Sequence, residues 1–206
     1  MVVTSRQDNC FRRFTLDGKD YQLPCNERGR THLHGGMRGF AHCNWDIIEV
    51  DDTHVTLGLT SPDGEEGYPG TLNVRCTYRL EGNDVRIELT ATTDAPTIIN
   101  LATHSYFNLD GSADILAHRL TIPADHYLPV TDDLIPTGEI APVAGTAFDF
   151  RTAMAVGARG QRYDHNFVVS PQRVSEPRLM ASLEGPASGT RLEVLSTEPG
   201  VQFYDG

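Results

Sequence analysis

The sequence predicts an all-β protein built from antiparallel strands. Apolar and polar residues alternate with a strict period of two over 72–80, and the alternation resumes over 85–92. This pattern is typical of strands that have one buried and one solvent-facing side. Helical periodicity with capping residues is nearly absent, whereas 12 prolines and 19 glycines separate the apolar segments, as many short strands joined by turns require. We therefore expect a large antiparallel β-sandwich or a barrel-like fold.

Three hairpins are predicted in the first half of the chain. The first surrounds an Asp-Gly turn within 14–23, the second joins 45–50 to 54–59, and the third is the alternating pair 72–80 and 85–92. In the last of these strands, the residues expected on the buried side are Val85, Ile87, Leu89 and Ala91.

Four more strands are predicted in the second half, over 119–122, 126–130, 166–169 and 191–196. The first dozen residues carry no periodic pattern, so we expect a frayed terminus there. Neither a repeat nor a linker is visible, and we therefore expect a single domain over 1–206.

The net charge and the cysteines indicate which binding partners and which cellular compartment to expect. The chain has 17 basic and 28 acidic residues, a net charge of −11, which argues against nucleic acid and against an anionic membrane surface as partners. Cys10, Cys25, Cys43 and Cys76 form no C-x-x-C motif. Their even number leaves a disulfide framework open, but the chain length and the polar start favour a reduced, cytoplasmic protein.

Proton-exchanging groups cluster around His104. The strand-like run 97–101 ends there, and Ser105, Tyr106 and Asn108 follow closely. An imidazole exchanges protons near neutral pH, and the neighbouring hydroxyl and amide groups could orient it or bind a polyhydroxylated ligand. The alternative is a buried histidine satisfied by its neighbours.

Three other segments hold candidate groups. His34 is followed by two glycines, which let the backbone pass close to a ligand, although the segment also suits a tight turn. Asp164 stands between an aromatic residue and His165 at the start of a predicted strand, where it could equally cap a turn. Gln202 and Tyr204 are two residues apart and so share one strand face.

A metal site is the chemical alternative. His32-x-His34, joined by His104 or Asp164, would suit zinc or iron in a β-sandwich. The H-x-H spacing is a weak signal, and we expect no metal. A phosphate-binding loop is not supported at 64–67, because this glycine-bounded segment is acidic and would repel the anion.

Six runs of residues occur in order along the chain: His34-Gly35-Gly36 with Gly39-Phe40, then 61–70, 104–109, 134–139, 164–167 and 199–204. Together they resemble the aldose 1-epimerases, also called galactose mutarotases. The resemblance runs from about Phe14 to the last residue, with 1–13 poorly matched.

This resemblance implies a galactose mutarotase-like β-sandwich that interconverts the α and β anomers of aldohexoses such as galactose and glucose, without a cofactor. His104 matches the family's acid, and His34 matches the second active-site histidine, which polarises the sugar near its ring oxygen. Asp164 matches a carboxylate that binds sugar hydroxyls, and Gln202 lines the same cleft. The predicted substrate-binding residues are Asp164, Gln202, Tyr204 and Asn108.

The chain departs from the family pattern in three places. The family's glutamate base has no match, the stretch 7–13 does not match an Asn-Arg pair that binds sugar, and Thr31 stands where an amide is frequent. We therefore expect a fold incomplete at both termini and impaired turnover. The alternative is a non-catalytic carbohydrate-binding module, and in either case we expect a monomer or weak dimer.

Overall fold

The computed structural model describes the backbone of Val2–Thr4 and residues 12–206. These residues form two compact units, the first ending at Ser105 and the second covering 106–206, and each unit has its own sheets. The expectation of a frayed terminus is wrong for Val2–Thr4, which pair with a later strand. Residues 1 and 5–11, which include Cys10 and make up most of the poorly matched stretch 1–13, lie outside the described residues.

Short strands dominate both units. The strands of the first unit are β1 (Val2–Thr4), β2 (Arg13–Leu16), β3 (Lys19–Gln22), β4 (Asp46–Val50), β5 (His54–Ser61), β6 (Leu72–Glu81), β7 (Asp84–Thr93) and β8 (Leu101–Thr103). Those of the second unit are β9 (Arg119–Thr121), β10 (His126–Leu128), β11 (Ala141–Pro142), β12 (Met154–Ala155), β13 (Asp164–Val168), β14 (Arg178–Glu184), β15 (Arg191–Ser196) and β16 (Gly200–Tyr204). Helical structure in the described ranges is limited to three 3-10 turns, Phe40–His42, Glu65–Gly67 and Val156–Arg159.

The first unit contains all three predicted hairpins. The Asp17-Gly18 turn joins β2 to β3, and a meander of four antiparallel strands runs in the order β4-β5-β6-β7. A separate antiparallel pair joins β1 to β8. The hairpin predictions are therefore confirmed.

The alternating pattern has the expected effect on β6. Leu72, Val74 and Cys76 are buried, while Asn73 and Arg75 between them are exposed. Leu72 and Val74 belong to a small core cluster whose other members are Phe40, Trp45, Leu59 and Leu101.

The predicted burial of one side of β7 is wrong for three of its four residues, while the fourth, Leu89, is partly buried. Ala91 is exposed, Val85 is 60% exposed and Ile87 is 37% exposed, although these side chains share the apolar face of the sheet. Alternation places these side chains on one face, but their burial also needs a layer packed over that face, and among the described strands β7 pairs with β6 alone. Leu80, which lies opposite Val85 on β6, is also 58% exposed.

The second unit contains two four-stranded antiparallel sheets, ordered β11-β10-β13-β16 and β12-β9-β14-β15. The core is rich in aromatic rings, with Phe150, Tyr163 and Phe167 fully buried. The predicted strands correspond to β9, β10, β13 and β15. Strand β14 was not predicted, because a register shift between Leu179 and Ala181 interrupts its alternation.

The prediction of an all-β antiparallel fold is confirmed by both units. The described part of the chain contains no helix with the length and apolar character needed to cross a membrane. Cys25, Cys43 and Cys76 are free thiols. Burial is the main cause that raises the pKa of the Cys43 thiol, and repulsion from the Glu65 carboxylate raises it further.

Candidate active site

The loop that carries His34 has an unusual backbone. His34 has a φ of +52°, and Gly35 and Gly36 also have positive φ values, a region that residues with a Cβ rarely adopt. The N–H of Gly36 donates to the carbonyl of Leu33 at 3.1 Å. A Cβ at Gly39 would overlap the carbonyl oxygen of His34. The glycines that follow His34 are therefore needed to form this turn.

Asn26 holds the start of the same loop. Its side-chain Nδ2 donates to the carbonyl of Leu33 at 2.8 Å, and its Oδ1 accepts the N–H of Leu33 at 2.7 Å. One amide thus satisfies both backbone groups of the residue before His34, and this fixes the direction in which the loop leaves the hairpin region.

His104 follows strand β8, whose last residue is Thr103. Its ring meets the ring of His34 edge to face, with centroids 5.2 Å apart and an interplanar angle of 82°. Both histidines are partly buried. The structure therefore brings together the side chains of two predicted site residues that are 70 positions apart in the chain.

His32 differs from His34 in its surroundings. It is 1% exposed, its Nδ1 lies 2.8 Å from the carbonyl oxygen of Pro24, and its Nε2 lies 2.8 Å from the hydroxyl of Tyr68. Because a carbonyl only accepts, Nδ1 carries the proton and Nε2 accepts from Tyr68. Both nitrogens are engaged, so the structure does not favour His32-x-His34 as a metal pair. Within the described ranges no three His, Cys, Asp or Glu residues form a cluster suited to a metal ion.

In the second unit, strands β13 and β16 present polar side chains on one face. Asp164 pairs with Tyr204, and Asn166 pairs with Gln202. The predicted sharing of a face by Gln202 and Tyr204 is therefore confirmed. The Nε2 of Gln202 donates to Oδ1 of Asp164 at 2.8 Å, so the amide orients the carboxylate.

Two exposed tyrosines flank this pair. The rings of Tyr106 and Tyr204 lie 6.0 Å apart at 67°, and they are 65% and 43% exposed. Partial burial is the main cause that raises the pKa of the Tyr106 hydroxyl, and electrostatic repulsion from Tyr204 and Asp164 raises it further. The tyrosine is thus an uncharged hydrogen-bonding group at neutral pH.

The side chain of Asn108 forms hydrogen bonds with nearby residues of its own loop. Its Nδ2 donates to the carbonyl of Ser112 at 2.7 Å, and its Oδ1 accepts the N–H of Asp110 at 3.3 Å. These bonds close the turn after Phe107, and the part of Asn108 in binding a substrate stays a prediction.

His165 supports Asp164 from within the core. It is buried, its ring packs against Phe148 at 4.5 Å, and its Nδ1 accepts the N–H of Asp164 at 3.1 Å. Burial lowers the pKa of His165, an effect that the charge of Asp164 partly opposes. The His165 ring is therefore neutral, and its unprotonated Nδ1 accepts the hydrogen bond.

Several supporting residues were missed by sequence reasoning. Each acts through a hydrogen bond to a residue seven to 36 positions away, and no short-range pattern marks such a pair. These residues are Asn26, Glu66, Tyr68 and His118, the last of which is buried and accepts the N–H of Leu109 at 3.0 Å. The only available signal was that Glu66 and Tyr68 fall within the run 61–70.

Known proteins similar to this chain are aldose epimerases. The sequence profile described as "Aldose 1-epimerase" matches residues 9–206. Galactose mutarotase from Rattus norvegicus is 49% identical over 201 residues, covering 94% of this chain and 58% of the relative. Aldose 1-epimerase from Escherichia coli (strain K12) is 38% identical, with 94% and 59% covered. The chain thus spans a little under three fifths of the length of these relatives.

Solved structures give the same result for the fold. The GalM/aldose epimerase homologue from C. elegans superimposes with a TM-score of 0.90 at 28% identity, covering 98% of this chain and 64% of that one. Galactose 1-epimerase from Lactobacillus acidophilus NCFM has a TM-score of 0.74 at 31% identity, covering 88% and 57%. The predicted galactose mutarotase-like β-sandwich is confirmed. By its sequence and its fold, the chain belongs to the aldose 1-epimerase family.

Proposed function

We propose that this chain carries the acid and the sugar-binding groups of an aldose 1-epimerase that interconverts the α and β anomers of aldohexoses such as galactose and glucose. The observation that carries the proposal is the pair of imidazoles, His34 and His104, with ring centroids 5.2 Å apart. Relatives that are 46–49% identical are named galactose mutarotase.

The proposed reaction opens and recloses the pyranose ring. A base removes the proton of the C1 hydroxyl, the C1–O5 bond breaks, and His104 donates a proton to O5. The aldehyde group then rotates about the C1–C2 bond. On closure O5 attacks the other face of C1, returning its proton to His104, while the base returns its proton to the new C1 hydroxyl. His34 holds and polarises the sugar near O5, and atoms and charges balance over the cycle.

Asp164 and Gln202 are proposed to bind sugar hydroxyl groups, together with Tyr204 and Asn108. The 2.8 Å hydrogen bond from Gln202 to Asp164 supports this role, because a carboxylate oriented by an amide offers acceptors and donors to neighbouring hydroxyls.

The base is the part of the mechanism without a candidate. No residue of the chain matches the family's glutamate, and loss of a general base costs about 10²–10⁴ in rate. We therefore propose that these 206 residues by themselves turn over slowly.

A non-catalytic carbohydrate-binding module is the second candidate. The observation that favours it is the exposed pair Tyr106 and Tyr204 beside Asp164, since amphipathic rings next to polar groups are common in ligand sites. This module would bind galactose or glucose without changing the rate of anomer exchange.

We further infer a cytoplasmic protein that forms one domain over 1–206, is a monomer or weak dimer, and takes a sugar rather than nucleic acid or membrane as its ligand. The net charge of −11 supports the exclusion of anionic partners. The three free thiols in the described residues are compatible with a reducing compartment.

Polarimetry of freshly dissolved α-D-galactose tests the proposal. The wild-type chain is compared with His104→Ala and with His126→Ala, which removes an exposed histidine of β10. We expect a weak acceleration of mutarotation that His104→Ala abolishes and His126→Ala leaves intact. Binding without acceleration would support the second candidate, and the absence of both binding and acceleration would contradict both.

A further inference from the structure

The segment 65–68 contacts the His34 loop at two points. The hydroxyl of Tyr68 donates to His32 before the turn, and the carboxylate of Glu66 accepts two hydrogen bonds after it. About 30 residues separate these segments in sequence, so the contact depends on the tertiary fold.

Both oxygens of Glu66 are used. Oε2 accepts the N–H of Met37 at 3.2 Å, and Oε1 accepts the N–H of Arg38 at 2.8 Å. Two successive backbone donors are thus satisfied by one side chain. A carboxylate is suited to this task because each of its oxygens accepts, whereas a glutamine amide has one acceptor and would turn a second donor toward an N–H group.

The backbone of Glu66 has an unusual conformation at this contact. Its φ is 50° and its ψ is 19°, within the 3-10 turn Glu65–Gly67. This left-handed conformation is uncommon for a residue with a Cβ. On the other side of the contact, a Cβ at Gly36 would overlap the Glu66 carboxylate. The two segments are therefore shaped for each other at the point where they meet.

We propose that Glu66 is a positioning residue for His34. Asn26 fixes Leu33 on one side of His34, and Glu66 fixes Met37 and Arg38 on the other. With both ends of the turn held, the His34 imidazole keeps its edge-to-face arrangement with His104. The consequence for sugar rests on the proposed function, whereas the consequence for ring geometry does not.

The test uses two matched substitutions in the whole chain. Glu66→Gln is nearly isosteric and removes one acceptor from the clamp. Glu65→Gln makes the same chemical change one residue earlier, where the carboxylate accepts from Ser61 Oγ at 2.5 Å. Two-dimensional NMR measures the ring-to-ring NOE between His34 and His104, and titration with D-galactose measures binding.

We expect Glu66→Gln to keep the folded spectrum but to weaken or lose the His34–His104 NOE, to speed amide exchange at Met37 and Arg38, and to weaken galactose binding by up to about tenfold. Glu65→Gln should match the wild type in all three measurements. An unchanged NOE together with unchanged affinity in Glu66→Gln would overturn the proposal.

The remaining outcomes are also decisive. If the wild type binds no galactose, the proposed function fails, and the NOE comparison alone decides the role of Glu66. If Glu66→Gln does not fold, Glu66→Asp replaces it, because its side chain is one methylene shorter and is expected to fall short of the two N–H groups that Glu66 reaches. A fully wild-type NOE and wild-type amide exchange in Glu66→Asp would overturn the proposal, and a weakened NOE would support it.

Discussion

Gln202 on β16 donates a hydrogen bond of 2.8 Å to Asp164, which begins the neighbouring strand β13. The two residues are diagonal neighbours in the sheet, because Asp164 pairs with Tyr204 and Gln202 pairs with Asn166. The bond orients a carboxylate by means of an uncharged donor. Because the donor is uncharged, the bond does not neutralise the negative charge of Asp164.

Asp164→Asn should weaken galactose binding by about tenfold, because hydrogen bonds to a charged acceptor are worth roughly 1.5–3 kcal/mol against 0.5–1.5 kcal/mol for neutral pairs. Gln202 can still donate to Oδ1 of the asparagine, so the unfolding transition should change little. Titration calorimetry measures the affinity. Glu184→Gln removes an exposed charge elsewhere in the second unit and should have no effect. Equal affinity in the two variants would remove Asp164 from the binding site.

Phe167→Ala should destabilise the second unit by about 3–5 kcal/mol, the usual cost of removing a buried aromatic ring. Phe167 is fully buried and packs near Phe148 and Phe150. Denaturant unfolding followed by circular dichroism measures the change. Leu195→Ala, at a side chain that is 56% exposed, should stay within about 0.5 kcal/mol of the wild type.

The same variant tests the proposal of a single domain. Trp45 is the only tryptophan of the chain and lies in the first unit. In one cooperative domain, Phe167→Ala shifts the unfolding curve seen by Trp45 fluorescence as much as the curve seen by circular dichroism. A fluorescence transition that does not move would contradict the single-domain proposal.

Stability of the second unit should fall as the pH is lowered below about 6.5, the ordinary pKa of histidine. Burial lowers the pKa of His165 in the folded state, so in this window the unfolded chain binds a proton that the folded chain does not. The contribution is complete above the unfolded pKa and decreases as the pH falls toward the lowered value. In His165→Gln the slope of unfolding free energy against pH between 7 and 5 should be smaller. His126→Gln is the matched control and should keep the wild-type slope. A wild-type slope in His165→Gln would contradict the assignment of this pH dependence to His165.

Tyr68→Phe should destabilise the first unit by about 1–3 kcal/mol, because it leaves Nε2 of the buried His32 without its hydroxyl donor. Chemical denaturation followed by Trp45 fluorescence measures the change. Tyr204→Phe serves as the control, since the ring is 43% exposed and loss of its hydroxyl should cost little. A Tyr68→Phe variant as stable as the wild type would contradict this role of the hydroxyl.

Local patterns were sufficient to predict most strands and to choose the site residues. The alternation over 72–80 identified β6, and the Asp17-Gly18 pair identified the first hairpin. The pattern failed where burial depends on what packs over a sheet face: Val85 is apolar and alternates correctly, yet it is 60% exposed, as is its 58% exposed partner Leu80 on β6. It also failed at β14, where the register shift hides the period of two.

By itself, the sequence determined the strand content, the antiparallel class and the residues with proton-exchanging or hydroxyl-binding groups, because each depends on side chains close together in the chain. Only the tertiary structure decided that the ring of His34 meets that of His104, that His32 is committed to Pro24 and Tyr68, and that Glu66 holds the loop after His34. These contacts join residues that are eight to 70 positions apart. A hydrogen bond depends on the distance and direction between two atoms, and the folded backbone sets both.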